Sequence, residues 1–340
     1  MVTRSGARCQ SGARPTDAWQ RELGQAFTRL DPLLAFLRLR RDQVPGLDPD
    51  PGPFRLLVPR GFAALMHPGE AADPLLRQVL PLADERLLTS GFRQDPVGDG
   101  PAARAPGLLR KYAGRALLMA HGACAVHCRY CFRRHFPYGE LGAYRQRIAV
   151  ALDQIRADRT LHEVILSGGD PLMLTDEALQ TLLGQLAAIP HVRRLRLHSR
   201  LPLVLPARIT APLCALLGGL HQRGVLVIHA NHARELGPAA QTGLTALRAA
   251  GVTLLNQSVL LRGVNDSAVA LAALSERLLD CGVLPYYLHQ LDPVQGAAHF
   301  AVSDRAAGAL LAALRARLPG YLVPRLVRER EGAPCKEPIG

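Results

Sequence analysis

The chain reads as an α/β protein, a partial (β/α)6-type TIM barrel with an N-terminal helical extension. From Arg115 onward about six short apolar runs of strand character recur, and most are followed by a segment of helical periodicity. Alternation of this kind builds a parallel sheet flanked by helices, and about six units are too many for a minimal doubly wound unit but suit a partial or full barrel. A length of 340 residues accommodates one such barrel with an extension before it.

In chain order, residues 1–100 are expected to form the extension, mostly helical and broken by proline-rich turns. Amphipathic helices are read over 19–30 and 73–82, with a loop over 47–53. The barrel is expected over 101–320, with buried strands at 115–119, 163–166, 192–197, 225–229, 253–259 and 284–288. Helical segments are read at 176–188, 206–223, 237–250 and 267–281. Reactive side chains of a parallel barrel belong in loops that follow strand ends. No low-complexity segment or closer internal repeat accompanies this rhythm.

Charged residues make up 20% of the chain and apolar ones 48%, and no apolar run reaches the length of a membrane span. A soluble protein without a transmembrane helix is expected. Residues 1–15 carry Arg4, Arg8 and Arg14 but no continuous apolar core, so no secretory signal is read and a cytoplasmic location is expected. The net charge of +13 is spread along the chain, without a basic tail or a basic and aromatic stripe, which argues against nucleic-acid binding.

Of the 41 basic residues only Lys111 and Lys336 are lysines. Arginine screens charge and contacts phosphate as well as lysine does, but its guanidinium stays protonated and cannot form an imine with an aldehyde cofactor. Both lysines are therefore candidates for chemistry that only an amine performs. The bland alternative is a pair of ordinary surface lysines.

Three of the seven cysteines lie in Cys124-Ala-Val-His-Cys128-Arg-Tyr-Cys131, on a loop after the apolar run 116–119. A disulfide framework does not suit a cytosolic chain. Structural zinc normally takes four protein ligands in two separated pairs, and no second pair stands nearby. Three thiolates leave one iron of a four-iron four-sulfur (4Fe-4S) cluster free for a non-protein ligand, and C-x3-C-x2-C is the radical S-adenosylmethionine (SAM) signature. Cys9, Cys214 and Cys281 have no such company. Downstream, Glu163-Val-Ile-Leu-Ser-Gly-Gly-Asp170 is a strand ending in a glycine-rich turn, where Ser167, Gly168, Gly169 and Asp170 are read as meeting the amino and carboxylate ends of SAM. The barrel is thus expected to be of the radical SAM kind.

From Asp73 to the end the chain resembles the lysine 2,3-aminomutase family, most closely the subgroup that supplies β-lysine for modification of elongation factor P. The resemblance rests on Asp73-Pro-Leu-Leu-Arg-Gln-Val-Leu-Pro81, Asp95-Pro-Val, Cys128-Arg-Tyr-Cys-Phe-Arg-Arg134 and Ser167-Gly-Gly-Asp-Pro171. It also rests on Asn256-Gln-Ser-Val-Leu-Leu-Arg-Gly-Val-Asn-Asp266, Pro285-Tyr-Tyr-Leu-His289, Gln295-Gly-Ala-Ala-His-Phe300 and Gly332-Ala-Pro-Cys-Lys336.

The resemblance implies an isomerase that uses a 4Fe-4S cluster at Cys124, Cys128 and Cys131, SAM, and pyridoxal 5′-phosphate (PLP) to move an amino group of L-lysine from its α to its β carbon. It implies that Lys336, in a C-terminal segment at 321–340, carries PLP, and that Tyr112 and Arg115 hold the PLP phosphate, with Lys111 where the family often has arginine. Arg133 matches the residue that grips the substrate carboxylate; a solvated basic loop is its bland reading. Asp266 and Glu329 match acidic positions that meet the substrate ammonium, although Glu329 replaces an aspartate and Asp266 also reads as a helix cap. Cys335 departs from the glycine-rich form of the lysine motif. Metabolic members extend well beyond this lysine, whereas four residues follow it here, which leaves oligomeric state open. Expected partners are an electron donor such as flavodoxin or ferredoxin and a functional link to an elongation factor P lysyl ligase. Two other readings are a glutamate 2,3-aminomutase and a non-catalytic iron–sulfur or zinc protein that binds translation components.

Overall fold

The computed structural model describes residues 17–340 apart from 51 and 221. The reading of residues 1–15 and the thiol of Cys9 lie outside the described residues.

The extension contains helices α1 (Ala18–Gly24), α2 (Leu30–Phe36), α3 (Arg60–Ala63) and α4 (Pro74–Arg77) among its described residues. Both helices expected here are shorter than their periodicity suggested. The 19–30 segment breaks after Gly24 because Phe27 leaves the helix to exchange backbone hydrogen bonds with Val58 at 2.8 and 2.9 Å. The 73–82 segment starts as expected, with buried Asp73 accepting from the amides of Leu75 (2.8 Å) and Leu76 (3.1 Å), but its helix closes at Arg77. Tertiary pairing outweighs propensity at both places. The 47–53 loop contains no regular element among its described residues.

Ten strands form one sheet in chain order: β1 (Ala103–Ala105), β2 (Leu108–Leu109), β3 (Arg115–His121), β4 (Glu163–Gly168), β5 (Arg194–Ser199), β6 (Arg223–Ile228), β7 (Thr253–Val259), β8 (Leu284–His289), β9 (Arg325–Arg328) and β10 (Glu337–Pro338). Strands β3 to β8 are the six expected parallel strands. Sequence reading missed β9, a further parallel strand whose Tyr287↔Arg325 to His289↔Val327 register carries the C-terminal segment onto the sheet. Antiparallel β1, β2 and β10 finish the two edges, so the sheet is a partial barrel.

The crossovers are α5 (Tyr144–Ala157), α6 (Asp176–Ala187), α7 (Leu201–Val204), α8 (Ala211–Gly218), α9 (Pro238–Ala249), α10 (Ala268–Asp280) and α11 (Asp304–Arg315). Helix α6 is typical: Thr175 accepts from the Ala178 amide, and Leu179, Leu182, Leu183 and Leu186 form one buried stripe at helical spacing. The helix expected over 206–223 is corrected. Pro206–Arg208 is a single tight turn, Thr210 caps a new helix, and Arg223 already opens β6. Apolar residues of the extension, such as Trp19, Phe62, Leu75 and Leu76, share one core with Leu118, Leu166 and Leu197 of the sheet. No helix among the described residues is long and apolar enough to cross a membrane.

Candidate active site

Two adjoining cavities of about 370 and 350 Å³ lie within the partial barrel, the first at the C-terminal ends of the parallel strands and the second reaching down the interior to Arg115 and Arg325, the first residues of β3 and β9. They share a wall made of Phe132, Arg133, Ser167, His198, His229, Gln257 and Asp292. The first cavity is at the end where a parallel barrel gathers reactive groups, because every βα loop emerges there.

Cys124, Cys128 and Cys131 line the first cavity on the loop after β3. The extension grips that loop: the amide of His127 donates to the Leu57 carbonyl (3.0 Å) and that of Arg129 to the Gln78 carbonyl (2.8 Å). Buried Arg129 and Arg134 both meet Glu85. Burial first, and then the neighbouring thiols, push Cys131 up to about 11 and Cys124 well above the usual thiol range. Buried, mutually repelling thiolates are stable only beside strong positive charge, which a metal centre supplies. Away from these thiols, His67, Glu70 and Asp73 also bring ligand atoms within 4.8 Å of one another.

Ser167, Gly168, Gly169 and Asp170 line the same cavity. Both glycines also have a packing role. A Cβ on Gly168, at φ +124°, would collide with the His121 carbonyl, and one on Gly169 with the Ala123 carbonyl. The glycines let β4 pack against the backbone that leads into the cysteine loop, with Gly169 N donating to His121 O (2.8 Å). The Asp170 carboxylate is taken by the amides of Leu172 (3.0 Å) and Arg200 (2.8 Å) and the Ser199 hydroxyl (3.0 Å). It therefore ties β4 to β5, and burial pushes it up to about 6 against those hydrogen bonds.

The second cavity contains Lys111, Tyr112, Arg115, Glu329 and Lys336. The chain's two lysines meet on one carboxylate: Lys336 Nζ bonds to Glu329 Oε2, and Lys111 Nζ stands 3.3 Å from Oε1. Lys111 also pairs with Asp99 at 2.7 Å, and Asp99 holds the buried Arg133 at 2.6 Å. Arg133 then donates to the Ser167 hydroxyl at 3.2 Å. This chain of contacts excludes the surface-lysine reading of both amines and the solvated-loop reading of Arg133. The Tyr112 hydroxyl is buried beside Glu329 without a well-formed hydrogen bond, and the Arg115 guanidinium lies 5.1 Å from its ring centre. An amine, an orphaned hydroxyl and a cationic rim can hold an anionic aldehyde cofactor such as PLP.

Asp266 is not brought to either cavity. It is exposed, and its carboxylate accepts from Gly263 N (2.9 Å) in its own turn, while Ser267 caps α10 by accepting from Ala270 N (3.1 Å). The carboxylate that accompanies Glu329 is Asp292, in the loop after β8, with one buried oxygen unpartnered. Burial foremost, then Glu329, push Asp292 up to about 7, against the opposing pull of Lys336 and Lys111. Burial also raises Glu329, but Lys336 and Lys111 outweigh it and hold that carboxyl below its ordinary range. Sequence reasoning also missed His198, His229, Gln257 and His289, whose positions at or just after strand ends were the available signal. His198 Nε2 and His289 Nε2 are buried without partners.

No family model matches the chain. It is 52% identical over 286 residues to the L-lysine 2,3-aminomutase of Escherichia coli (strain K12), covering 84% of this chain and 83% of that protein. It is 42% identical over 325 residues to the L-lysine 2,3-aminomutase of Buchnera aphidicola subsp. Baizongia pistaciae (strain Bp), covering 94% of each. Among solved structures, a radical SAM methyltransferase from Sphaerobacter thermophilus aligns with a TM-score of 0.43 and 21% identity over 65% of this chain and 68% of that one. With identity this high over nearly the whole length of those relatives, the chain belongs to the L-lysine 2,3-aminomutase family, whose members are isomerases.

Proposed function

We propose that this protein converts L-α-lysine to β-lysine with a 4Fe-4S cluster, SAM and PLP. The observation that carries the reading is the pair of cavities with one wall, three thiols in the first and an amine with two carboxylates in the second. Cys124, Cys128 and Cys131 would hold the cluster, the Ser167 to Asp170 turn would flank SAM, and Lys336, Tyr112 and Arg115 would hold PLP. Bound there, the cluster with SAM would supply hydrogen-abstracting radical chemistry, and PLP would supply a conjugated system able to delocalise an unpaired electron.

The chain's own residues bind, orient and shield. Arg133 faces the shared wall and meets the substrate carboxylate. Asp292 and Glu329 meet the distal ammonium, whose burial without a partner costs several kcal/mol. Two carboxylates at that end favour lysine over glutamate, whose own distal group is negative. The shared walls keep water and oxygen away from the space between the two cavities.

The test is mass spectrometry of products after anaerobic incubation with SAM and dithionite. Lysine yields a β-amino product and glutamate yields none; the reverse outcome, or protein that binds no iron, overturns the proposal. Asp99 is a positioning residue, because its carboxylate orients Arg133. Asp99→Asn weakens a charge-assisted bond of about 1.5–3 kcal/mol, so a rise of about ten- to hundredfold in KM for lysine is expected, with kcat changed less. Delivery of the product to an elongation factor P lysyl ligase, and electron supply by flavodoxin or ferredoxin, extend this reading on the family resemblance. Feeding isotopically labelled lysine and following the label into elongation factor P tests the destination.

A further inference from the structure

Arg200 follows β5 directly and is buried with its whole guanidinium in the floor of the first cavity. One arm, Nη1, points at Cys128 Sγ from 2.6 Å. The other, Nη2, donates to Gln78 Oε1 at 2.6 Å and to Glu235 Oε2 at 2.9 Å. Glu235 is fully enclosed and is itself fixed by the amides of Asn231 (3.0 Å) and His232 (3.1 Å) and by Gln78 Nε2 (3.0 Å). The planar fork is thus held on one side by a fixed carboxylate and aimed on the other at one particular sulfur. Sulfur is a weaker acceptor than oxygen, and Nε is buried without a partner, so satisfying the guanidinium's donors does not by itself account for Nη1 facing a thiol.

We propose that Arg200 is a positioning residue that sets the reduction potential of the iron–sulfur cluster through Cys128. The positive end of the Arg200–Glu235 pair faces the sulfur in a site poor in water, so it stabilises the cluster state that carries one more electron and makes the cluster easier to reduce. Glu235 and Gln78 keep the guanidinium facing the sulfur, and Gln78 brings the N-terminal extension into the device. The inference rests on the cluster assignment above.

The test is an electron paramagnetic resonance titration of the reconstituted full-length protein with dithionite, without substrate, alongside iron and sulfide analysis. Arg200→Gln is expected to shift the midpoint to more negative potential, and Arg200→Lys, which keeps the charge, to stay near the wild type. Where Arg200→Gln loads too little iron because Glu235 is left unpaired, the double variant Arg200→Gln with Glu235→Gln replaces it and should shift the same way. A cluster-loaded charge-free variant with the wild-type midpoint, or equal shifts in the Gln and Lys variants, overturns the role of Arg200 while leaving the cluster assignment intact. Wild-type protein that takes up no iron overturns both.

Discussion

Lys336→Ala is expected to abolish PLP retention and turnover together while leaving iron content unchanged. Purified wild-type protein should carry a yellow chromophore through gel filtration after incubation with PLP, and the variant should not. The expectation follows from a simple inventory: an imine needs an amine, and the only side-chain amines in the sequence are Lys336 and Lys111. Both reach Glu329, yet Lys111 is further committed to Asp99 at 2.7 Å and the Val97 carbonyl at 2.9 Å. Lys336 has Glu329 and the face of Tyr287, whose ring centre lies 5.9 Å away. Lys336 is also carried on a paired edge, because Glu337 and Pro338 register with Arg328 and Val327. Lys111→Arg, by contrast, keeps the charge next to Asp99 and should retain the chromophore. An unchanged absorption spectrum in Lys336→Ala would remove the assignment.

Asp292→Asn is expected to lower kcat/KM for lysine by about two to four orders of magnitude. Removing one partner of a buried ion pair leaves about 3–5 kcal/mol uncompensated, and each 1.36 kcal/mol is a factor of ten. Its pH dependence has a definite sign. With its proton affinity pushed up to about 7 by burial and by Glu329, against Lys336 and Lys111, Asp292 is neutral in the free protein at lower pH. A cationic substrate prefers the ionised form, so binding releases a proton there. kcat/KM for lysine should therefore rise with pH, by up to about tenfold per unit, and level off above about 7. The Asn variant should show a low profile that lacks this step. A wild-type profile flat from pH 5.5 to 8, together with a variant of near-normal activity, would deny Asp292 the role.

The repeating strands, the three thiols and the identity of the two lysines were legible along the chain, whereas the meeting of those lysines on Glu329 was not. Apolar runs announce buried strands, three cysteines in eight residues announce a metal loop, and a near-total replacement of lysine by arginine isolates two amines. Strand boundaries agreed closely where a buried run met a turn, as at Thr253–Val259. Lengths failed where tertiary pairing interrupted a helical pattern, at Phe27 with Val58 and at Gly218, whose absent side chain admits the Ala250 carbonyl.

Choosing between two aspartates needed three dimensions. Asp266 and Asp292 both stand in loops after strands, and nothing in their neighbours in sequence tells them apart. The fold turns Asp266 outward, where its own turn uses it, and encloses Asp292 beside Glu329 and Lys336. The same holds for Arg200, Glu235 and Gln78, which converge on one another from three separate parts of the chain. Composition and spacing can say which chemistry a chain is able to perform. Burial and long-range convergence decide which carboxylate goes without water, and it is that loss of solvent which makes its charge matter.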